Sequence, residues 1–345
     1  MRAWLTATAA AVALATSVAA QQGPAESRAP KAAEQPAGKP PIDRTILHVQ
    51  VILDKLGFGP GILDGRGGQS LVAALKGYQT AAGLQVTGEI DQPTLRSLHR
   101  FRAIRPTKTI ALTPAMLAGP FVNPIPADYN QAAKLPAMAY RSPLEKLAEM
   151  FHTTPQVLVE LNSRETPLKA GTQVVFPNAL PGSRDYDQSL PAEWRQRLSS
   201  LNVDANQRQG ERVVVDESDG VLRVYDKADR LIAQFSATMG SEKFPLPLGT
   251  WEIKGPAYNP PWNFDPDLIA GTKPDAKEAV VPPGPNNPVG VVWLDLSKEH
   301  YGIHGTAEPQ NIGRSESNGC IRLTNWDAAR LALMVKAGTK ALFQA

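Results

Sequence analysis

The chain has 345 residues, of which 42% are hydrophobic and 20% charged, so its composition is that of an ordinary globular protein and its length predicts two or three domains. Its 36 basic and 33 acidic residues leave a net charge of +3, too small an excess to indicate binding to nucleic acid or to a membrane surface. The only cysteine, Cys320, cannot form an internal disulfide, so its thiol is either buried and inert or chemically reactive.

The first twenty residues have the pattern of an export signal. Arg2 precedes an uncharged, alanine-rich stretch over 3–20, and Val18 and Ala20 suit the cleavage preference of a signal peptidase. An uncleaved membrane anchor is the alternative, although the stretch is weakly hydrophobic for a span. We therefore expect a signal peptide over 1–20, export, and a flexible linker rich in Ala, Pro and Gln over 21–41. In an oxidising compartment a lone free thiol is exposed to oxidation, which favours a functional cysteine.

Residues 42–100 have the pattern of a small helical module. Apolar residues recur at helical spacing from Ile46 and again from Leu71, and a turn at Asp91 leads into a third helix that begins near Pro93. The run VQVILDKLGFGPGILDGRGGQSLVAALKGYQTAAGLQVTGEIDQPTLRSL resembles a peptidoglycan-binding repeat of the three-helix type. A plain helical bundle without a ligand is the alternative interpretation.

A second small module is expected at 137–178, after a Pro-rich linker over 101–136. Its pattern is helix, turn, helix and strand, and the strand ends in Val174-Val175-Phe176-Pro177. The segment resembles a LysM module, which implies a βααβ fold and binding to glycans that contain N-acetylglucosamine. It departs from the family at its start, where Ala139-Tyr140-Arg141-Ser142-Pro143 replaces the usual turn and leaves the first strand unrecognised.

The remaining chain is predicted to be a linker over 179–210, with one short helix at 191–201, and a β domain over 211–345. Apolar and polar residues alternate around Val213, Leu222 and Leu231, which is typical of half-buried strands, and one amphipathic helix is expected at 326–335. The predicted fold class is multidomain α+β, in which a three-helix module and a small βααβ module precede a mainly antiparallel β domain.

The β domain contains the residues that suggest chemistry. His304 and Cys320 are separated by a glycine-rich loop. A cysteine of pKa about 8.5 is mostly a thiol at neutral pH, and a neighbouring imidazolium lowers that pKa, so the pair is typical of a cysteine nucleophile. Gly319 permits a sharp turn, and the backbone N–H groups of Gly319 and Cys320 could face a developing oxyanion. A metal site at His300, His304 and Cys320 is disfavoured, because the two histidines would lie roughly 13 Å apart along a strand.

Residues 212–344 resemble the catalytic domain of L,D-transpeptidases, also called the YkuD domain. The resemblance rests on Gly249-Thr250-Trp251, on the run PPGPNNP at 282–288, on YGIHGT at 301–306 and on SNGCIRL at 317–323. It implies that Cys320 is the nucleophile, that His304 is its acid and base, and that the Gly305 carbonyl orients the imidazole. No metal or cofactor is implied. Asn318 stands where the family usually has histidine.

The same resemblance suggests six substrate-binding residues: Arg322, Ser317, Asn318, Trp262, Tyr301 and Arg314. Arg322 is a candidate partner for a substrate carboxylate, with packing and surface charge as its alternative role. Trp262 lies on a long Pro-rich excursion that is either a lid facing substrate or a loop pinned to the core. Glu308 and Glu316 are interpreted as solvated loop charges.

The expected function is therefore a two-step acyl transfer on peptidoglycan in the periplasm. Cys320 would attack the carbonyl carbon at the L-centre of the diamino acid in a stem peptide and expel D-Ala. It would then pass the acyl group to an amine. The acceptor could be another stem peptide or a wall-anchored protein, and with water the enzyme would be an L,D-carboxypeptidase. A non-catalytic wall-binding protein is the alternative from another class. Stem peptides and glycan strands are the expected partners, nucleic acid is not, and carbapenem-type inhibitors are expected to acylate the cysteine.

Overall fold

A computed structural model describes residues 40–269, 272, 275–315, 317 and 319–345. The predicted signal peptide and nearly all of the linker over 21–41 lie outside these residues, as do Glu316 and Asn318. None of the helices in the described part of the chain has the length and apolar character that a membrane span needs.

The helices are Arg44–Leu56 (α1), Gln69–Ala81 (α2), Gln92–Leu98 (α3), Pro114–Leu117 (α4), Tyr129–Ala132 (α5), Pro143–Met150 (α6), Pro155–Leu161 (α7), Ala192–Ser200 (α8) and Asn325–Met334 (α9). The strands are Phe58–Gly59 (β1), Thr107–Ala111 (β2), Gln173–Pro177 (β3), Arg212–Asp216 (β4), Val221–Tyr225 (β5), Leu231–Ser236 (β6), Gly249–Tyr258 (β7), Trp262–Phe264 (β8), Ala279–Val281 (β9), Val292–Leu296 (β10), Gly302–His304 (β11), Ile321–Arg322 (β12) and Lys340–Gln344 (β13).

The N-terminal helices begin and end where their capping residues allow. The Asp43 side chain accepts hydrogen bonds from the first N–H groups of α1, and Gly57 ends that helix in the left-handed conformation, which costs glycine little. Asp91 caps α3 in the same way. The three helices pack around a shared apolar cluster that includes Leu53, Leu75 and other buried side chains.

A second small unit is built on strands β2 and β3, which pair antiparallel from Thr107 opposite Pro177 to Ala111 opposite Gln173. Helices α6 and α7 belong to the same apolar core, in which the rings of Phe151 and Phe176 stack 4.0 Å apart. Strand β2 and two short helices thus lie in the segment 101–136 that was expected to be linker. The pattern did not reveal β2 because three of its residues are polar and none is fully buried.

The C-terminal half of the chain is organised around a nine-stranded sheet in the order β1-β6-β5-β4-β13-β7-β10-β11-β12. Neighbouring strands run antiparallel except for the pairs β1 with β6, β4 with β13, and β11 with β12. Helix α9 packs on the sheet, and Trp326 and Leu331 from this helix are fully buried in the apolar core. The strands expected from the alternating pattern are therefore present, and the region is mainly β.

The helical module packs directly against this sheet. Strand β1 extends the sheet beside β6, where it covers an edge that would otherwise have unpaired backbone groups. The Gln234 side chain of β6 donates a hydrogen bond of 2.6 Å to the Ala73 carbonyl of α2. It also occupies the space beside Gly77, where a Cβ would come within 2.7 Å of it. Every residue of β6 is consequently buried, including the polar ones that the alternation predicted to face solvent.

The segment 179–210 differs from the predicted polar linker because it contributes to the apolar core of the large sheet. The expected helix is present as α8, and its Trp194 and Leu198 are buried among the core residues of the sheet. The Trp194 ring stacks on Tyr258 with centroids 4.6 Å apart.

A buried cluster of charged side chains joins the three parts of the chain. Asp54 of α1 accepts hydrogen bonds from His152, which follows α6, and from Arg330 of α9, and Arg330 also pairs with Asp327. All four residues are at most 5% exposed. Such a cluster is favourable only while every charge keeps its partner.

Candidate active site

His304 and Cys320 lie on neighbouring chain segments at the edge of the sheet. Strands β11 and β12 pair parallel, with His304 opposite Arg322, so Cys320 immediately precedes the strand beside the histidine. His304, Cys320 and Arg322 line one cleft of about 390 Å³. Trp262 and Ile269 also line this cleft. The fold therefore brings together the two residues that the sequence paired across sixteen positions.

His304 is held as a neutral imidazole with a defined tautomer. Its Nδ1 lies 2.7 Å from the carbonyl oxygen of Gly305, which can only accept, so Nδ1 carries the proton and Nε2 keeps its lone pair. The ring stacks on Trp293 with centroids 5.2 Å apart. Burial, together with the nearby charge of Arg322, lowers the histidine pKa to about 3, although the hydrogen bond to Gly305 acts in the opposite direction.

Cys320 is held as a neutral thiol. Its Sγ donates to the carbonyl oxygen of His300 over 3.7 Å. Burial raises the thiol pKa above its ordinary value, while a backbone hydrogen bond at Gly302 and the charge of Arg322 lower it in part. This arrangement differs from a preformed thiolate–imidazolium pair, because burial disfavours the charged form of both groups.

The loop before the cysteine is shaped by Gly319 and Ser317. Gly319 has φ +94°, and a Cβ there would lie 2.7 Å from a ring carbon of Tyr301, so both backbone angle and space require glycine. Ser317 is 3% exposed; its hydroxyl donates to the Cys320 carbonyl and accepts from the Gly319 N–H. In this structure the Gly319 N–H is thus paired with Ser317, and its suggested role at an oxyanion stays a prediction.

The residues suggested for substrate binding separate into two groups. Trp262 and Arg322 line the cleft. Ser317 is buried under the cysteine loop, Tyr301 packs against Gly319, and Arg314 is exposed, and these three are outside the cleft lining. Asn318 lies outside the described residues, so its suggested role stays a prediction.

Asn325 is a residue of the site that the sequence interpretation missed. Its side-chain oxygen accepts from the Val291 N–H over 3.2 Å, and its amide donates to Pro285 O and to the Glu149 carboxylate over 2.8 Å. The same oxygen lies where a Cβ on Gly305 would come within 2.1 Å of it. Asn325 thus supports the backbone around Gly305, whose carbonyl oxygen accepts the hydrogen bond from His304. Its only sequence signal is a polar residue directly after the Thr324 helix cap.

Among the residues that the structure describes, no three His, Cys, Asp or Glu side chains converge in a way that could hold a metal ion.

Comparison with known proteins identifies the class of this chain. Residues 210–342 match the L,D-transpeptidase catalytic domain family (YkuD), and residues 44–98 match a putative peptidoglycan-binding domain family. The chain is 30% identical over 199 residues to the putative L,D-transpeptidase YkuD of Bacillus licheniformis, covering 57% of this chain and 90% of that protein. It is 33% identical over 188 residues to a putative L,D-transpeptidase of Fuscovulum blasticum, covering 52% and 95%. The chain therefore belongs to the L,D-transpeptidase family.

A solved L,D-transpeptidase from Mycobacterium smegmatis is also similar, at 23% identity and a TM-score of 0.32, over 39% of this chain and 59% of that one.

Proposed function

We propose that this L,D-transpeptidase works by cysteine acyl transfer, with Cys320 as nucleophile and His304 as its acid and base. The supporting observation is the neutral His304 ring, whose Nδ1 proton is committed to the Gly305 carbonyl, in the same cleft as Cys320. A neutral imidazole with a free Nε2 lone pair can take the thiol proton during attack, as a general base must.

In the first step, the Cys320 Sγ forms a bond to the carbonyl carbon of the L-centre of the diamino acid while its proton moves to His304 Nε2. The negative charge that develops on the carbonyl oxygen is stabilised by the guanidinium of Arg322, whose charge already acts on both reacting groups. The C–N bond to D-Ala then breaks, and the leaving amine takes the proton from Nε2. A thioester remains on Cys320.

In the second step, the acceptor amine loses a proton to His304 Nε2 as its nitrogen attacks the thioester. The C–S bond breaks, and Nε2 returns the proton to the sulfur. A stem-peptide amine would give a cross-link, and a lysine of a wall-anchored protein would give an attached protein. Water in the same position would release a shortened stem, the L,D-carboxypeptidase outcome. The export signal predicted at 1–20 supports a periplasmic site of action.

The small unit formed by β2, α6, α7 and β3 is proposed to be LysM-like and to bind glycan. The order of its elements and the antiparallel pairing of its two strands support this. A groove of about 90 Å³ lies at its surface, lined in part by Leu158, Asn162 and Leu168. A shallow groove with apolar and amide side chains suits the faces and hydroxyl groups of a sugar.

The nucleophile is tested by incubating the mature protein with a carbapenem and measuring its intact mass. The wild-type protein should gain the mass of the drug, and Cys320→Ala should gain none. Lys254→Met, an exposed change on the same sheet, is the control and should be acylated like the wild type. An adduct on Cys320→Ala would overturn the assignment.

The acceptor is tested by mass analysis of the products from purified disaccharide-tetrapeptide. A dimer that has lost one D-Ala indicates transpeptidation, whereas a tripeptide alone indicates the carboxypeptidase. Unchanged substrate with the wild-type protein would favour the non-catalytic wall-binding alternative.

A further inference from the structure

One side of the catalytic cleft is held by a segment from outside the catalytic domain. Strands β8 and β9, here called the cleft hairpin, pair antiparallel from Trp262 opposite Val281 to Phe264 opposite Ala279. Within the described residues the two strands pair only with each other and form no ladder with the nine-stranded sheet. The backbone of the sheet therefore does not by itself determine where Trp262 stands in the cleft.

The segment that contacts the cleft hairpin is residues 120–142, here called the strap. It runs from the end of α4 to the start of α6 and so lies between the first strand of the small unit, β2, and its helix α6. The strap and the hairpin share a closed apolar cluster in which Ala132 and Val281 are fully buried and Met138 and Phe264 are at most 4% exposed.

Tyr129 of the strap packs against both aromatic residues of β8. Its ring lies 4.9 Å from that of Trp262, edge to face at 77°, and 4.9 Å from that of Phe264 at 51°. Trp262 in turn lines the cleft. Tyr129 thus packs against Trp262, the cleft residue that the sequence suggested as a substrate contact. Aromatic pairs of this geometry add stabilisation beyond the area they bury.

Hydrogen bonds from two residues of the strap, Asn130 and Met138, hold the segments next to β9. The Asn130 side chain donates to the Lys277 carbonyl over 2.7 Å and accepts from the Lys277 N–H, so a single amide pairs with both backbone groups of one residue. The backbone of Met138 donates to Pro283 and accepts from Asn286 over 2.9 Å each. A Cβ at Gly284, which has φ +146°, would come within 2.3 Å of the Met138 carbonyl.

We propose that the strap is a positioning element for the part of the cleft lined by Trp262 and that Tyr129 acts through Trp262 to set the affinity for the stem peptide. This rests on the proposed function only in taking the stem peptide as the substrate of the cleft. The strap sets the position of the cleft hairpin and leaves the chemistry of Cys320 and His304 unchanged. Because the strap is inserted between β2 and α6, the small unit formed by β2, α6, α7 and β3 also contributes to peptide recognition.

The test separates recognition from chemistry. In Tyr129→Ala, KM for the disaccharide-tetrapeptide should rise about tenfold, the size expected for two lost aromatic pairs, while kcat stays within about twofold. Alkylation of Cys320 by iodoacetamide, which needs no cleft contacts, should be unchanged. Tyr129→Phe keeps the ring and should restore the wild-type KM. Asn130→Ala removes the Lys277 contacts independently and should raise KM by a smaller factor.

A second measurement does not depend on turnover. Hydrogen–deuterium exchange should accelerate at the amides of the cleft hairpin in Tyr129→Ala and stay unchanged in β4, β5 and β6. A wild-type KM in Tyr129→Ala, or equal exchange at the hairpin, would overturn the positioning role. An equal loss of kcat and alkylation in both alanine variants would also overturn it, since the effect would then be general. If the wild-type protein processes no stem peptide, the proposed function fails, and the exchange experiment still decides whether the strap positions the hairpin.

Discussion

Two buried histidines in this protein both stack on a tryptophan, but they differ in the number of hydrogen-bond acceptors around the ring. His304 stacks on Trp293 at 5.2 Å, and His152 stacks on Trp326 at 5.0 Å; both side chains are at most 3% exposed. Among the residues that the structure describes, His304 has one acceptor, the Gly305 carbonyl at Nδ1, which leaves Nε2 for the proposed proton transfer. His152 has an acceptor at each nitrogen, the Asp54 carboxylate and the Leu201 carbonyl. Both ring nitrogens of His152 are thus occupied by hydrogen bonds within the fold.

Burial and aromatic stacking are common to both rings and therefore do not by themselves make a histidine catalytic. The number of acceptor atoms around the ring decides whether it can move a proton or only hold a structure together. His304 should therefore matter for turnover, and the cluster around His152 should matter for stability.

The largest expected effect is on turnover in His304→Gln. Without the general base, kcat should fall by about 10²–10⁴-fold, because the Cys320 thiol no longer has a group to take its proton. Thermal unfolding should show no comparable loss of stability. The matched variant His152→Gln should keep kcat and lower the melting temperature. Equal losses of kcat in both variants would remove the distinction between the two histidines.

Arg330→Met tests the charged cluster. It leaves Asp54 and Asp327 buried without their shared partner, which should lower the free energy of unfolding by about 3–5 kcal/mol. Urea unfolding measures the change, and kcat at a temperature where the variant is folded should be unaffected. Lys254→Met, which removes an exposed ion pair with Asp295, should change stability by less than about 1 kcal/mol. A similar change in both variants would mean that the buried cluster contributes no more than a surface pair.

The free energy of unfolding should depend on pH in a different way for each of three buried groups, His304, Asp54 and Asp327. The pKa of His304 is lowered to about 3, so between about pH 6.5 and 3 the unfolded chain takes up a proton that the folded chain does not, and stability falls on acidification. Asp54 has a lowered pKa because of His152 and Arg330, which outweigh the effect of burial, and its contribution declines below about pH 4. Burial raises the pKa of Asp327 to about 6, so this group opposes the loss between about pH 6 and 4.

Urea unfolding at a series of pH values checks these signs, with each proton contributing at most about 1.4 kcal/mol per pH unit. His304→Gln should flatten the slope between pH 6.5 and 4, and Asp327→Asn should steepen it between pH 6 and 4. A steeper slope in His304→Gln would contradict a histidine that is kept neutral by the fold.

The smallest expected effect concerns the thiol. Iodoacetamide alkylation of Cys320 should keep increasing above pH 8.5, because burial raises the pKa of this thiol above its ordinary value. Arg322→Met should move the midpoint further upward, since it removes a nearby positive charge, and Arg322→Lys should restore it. Rapid alkylation that is independent of pH near neutrality would indicate a preformed thiolate instead.

Much of the site could be predicted from the local sequence, because its residues lie on short segments with strong backbone requirements. The glycine before Cys320, the short strand that ends at His304 and the helix after Thr324 all follow from turn, strand and capping signals. Asn325 was missed because its partners, Glu149 and Val291, are 176 and 34 residues away, and no local pattern records such contacts.

Local sequence patterns predicted the three N-terminal helices, most strands of the large sheet and the pairing of Cys320 with His304, because periodicity, caps and glycines act over a few residues. Only the tertiary structure decided that β2 pairs with β3, that Gln234 is buried beneath α2, and that Tyr129 packs behind Trp262. It also decided which buried histidine keeps a free lone pair. These outcomes depend on long-range packing, in which the partner that buries or hydrogen-bonds a side chain is distant in the chain.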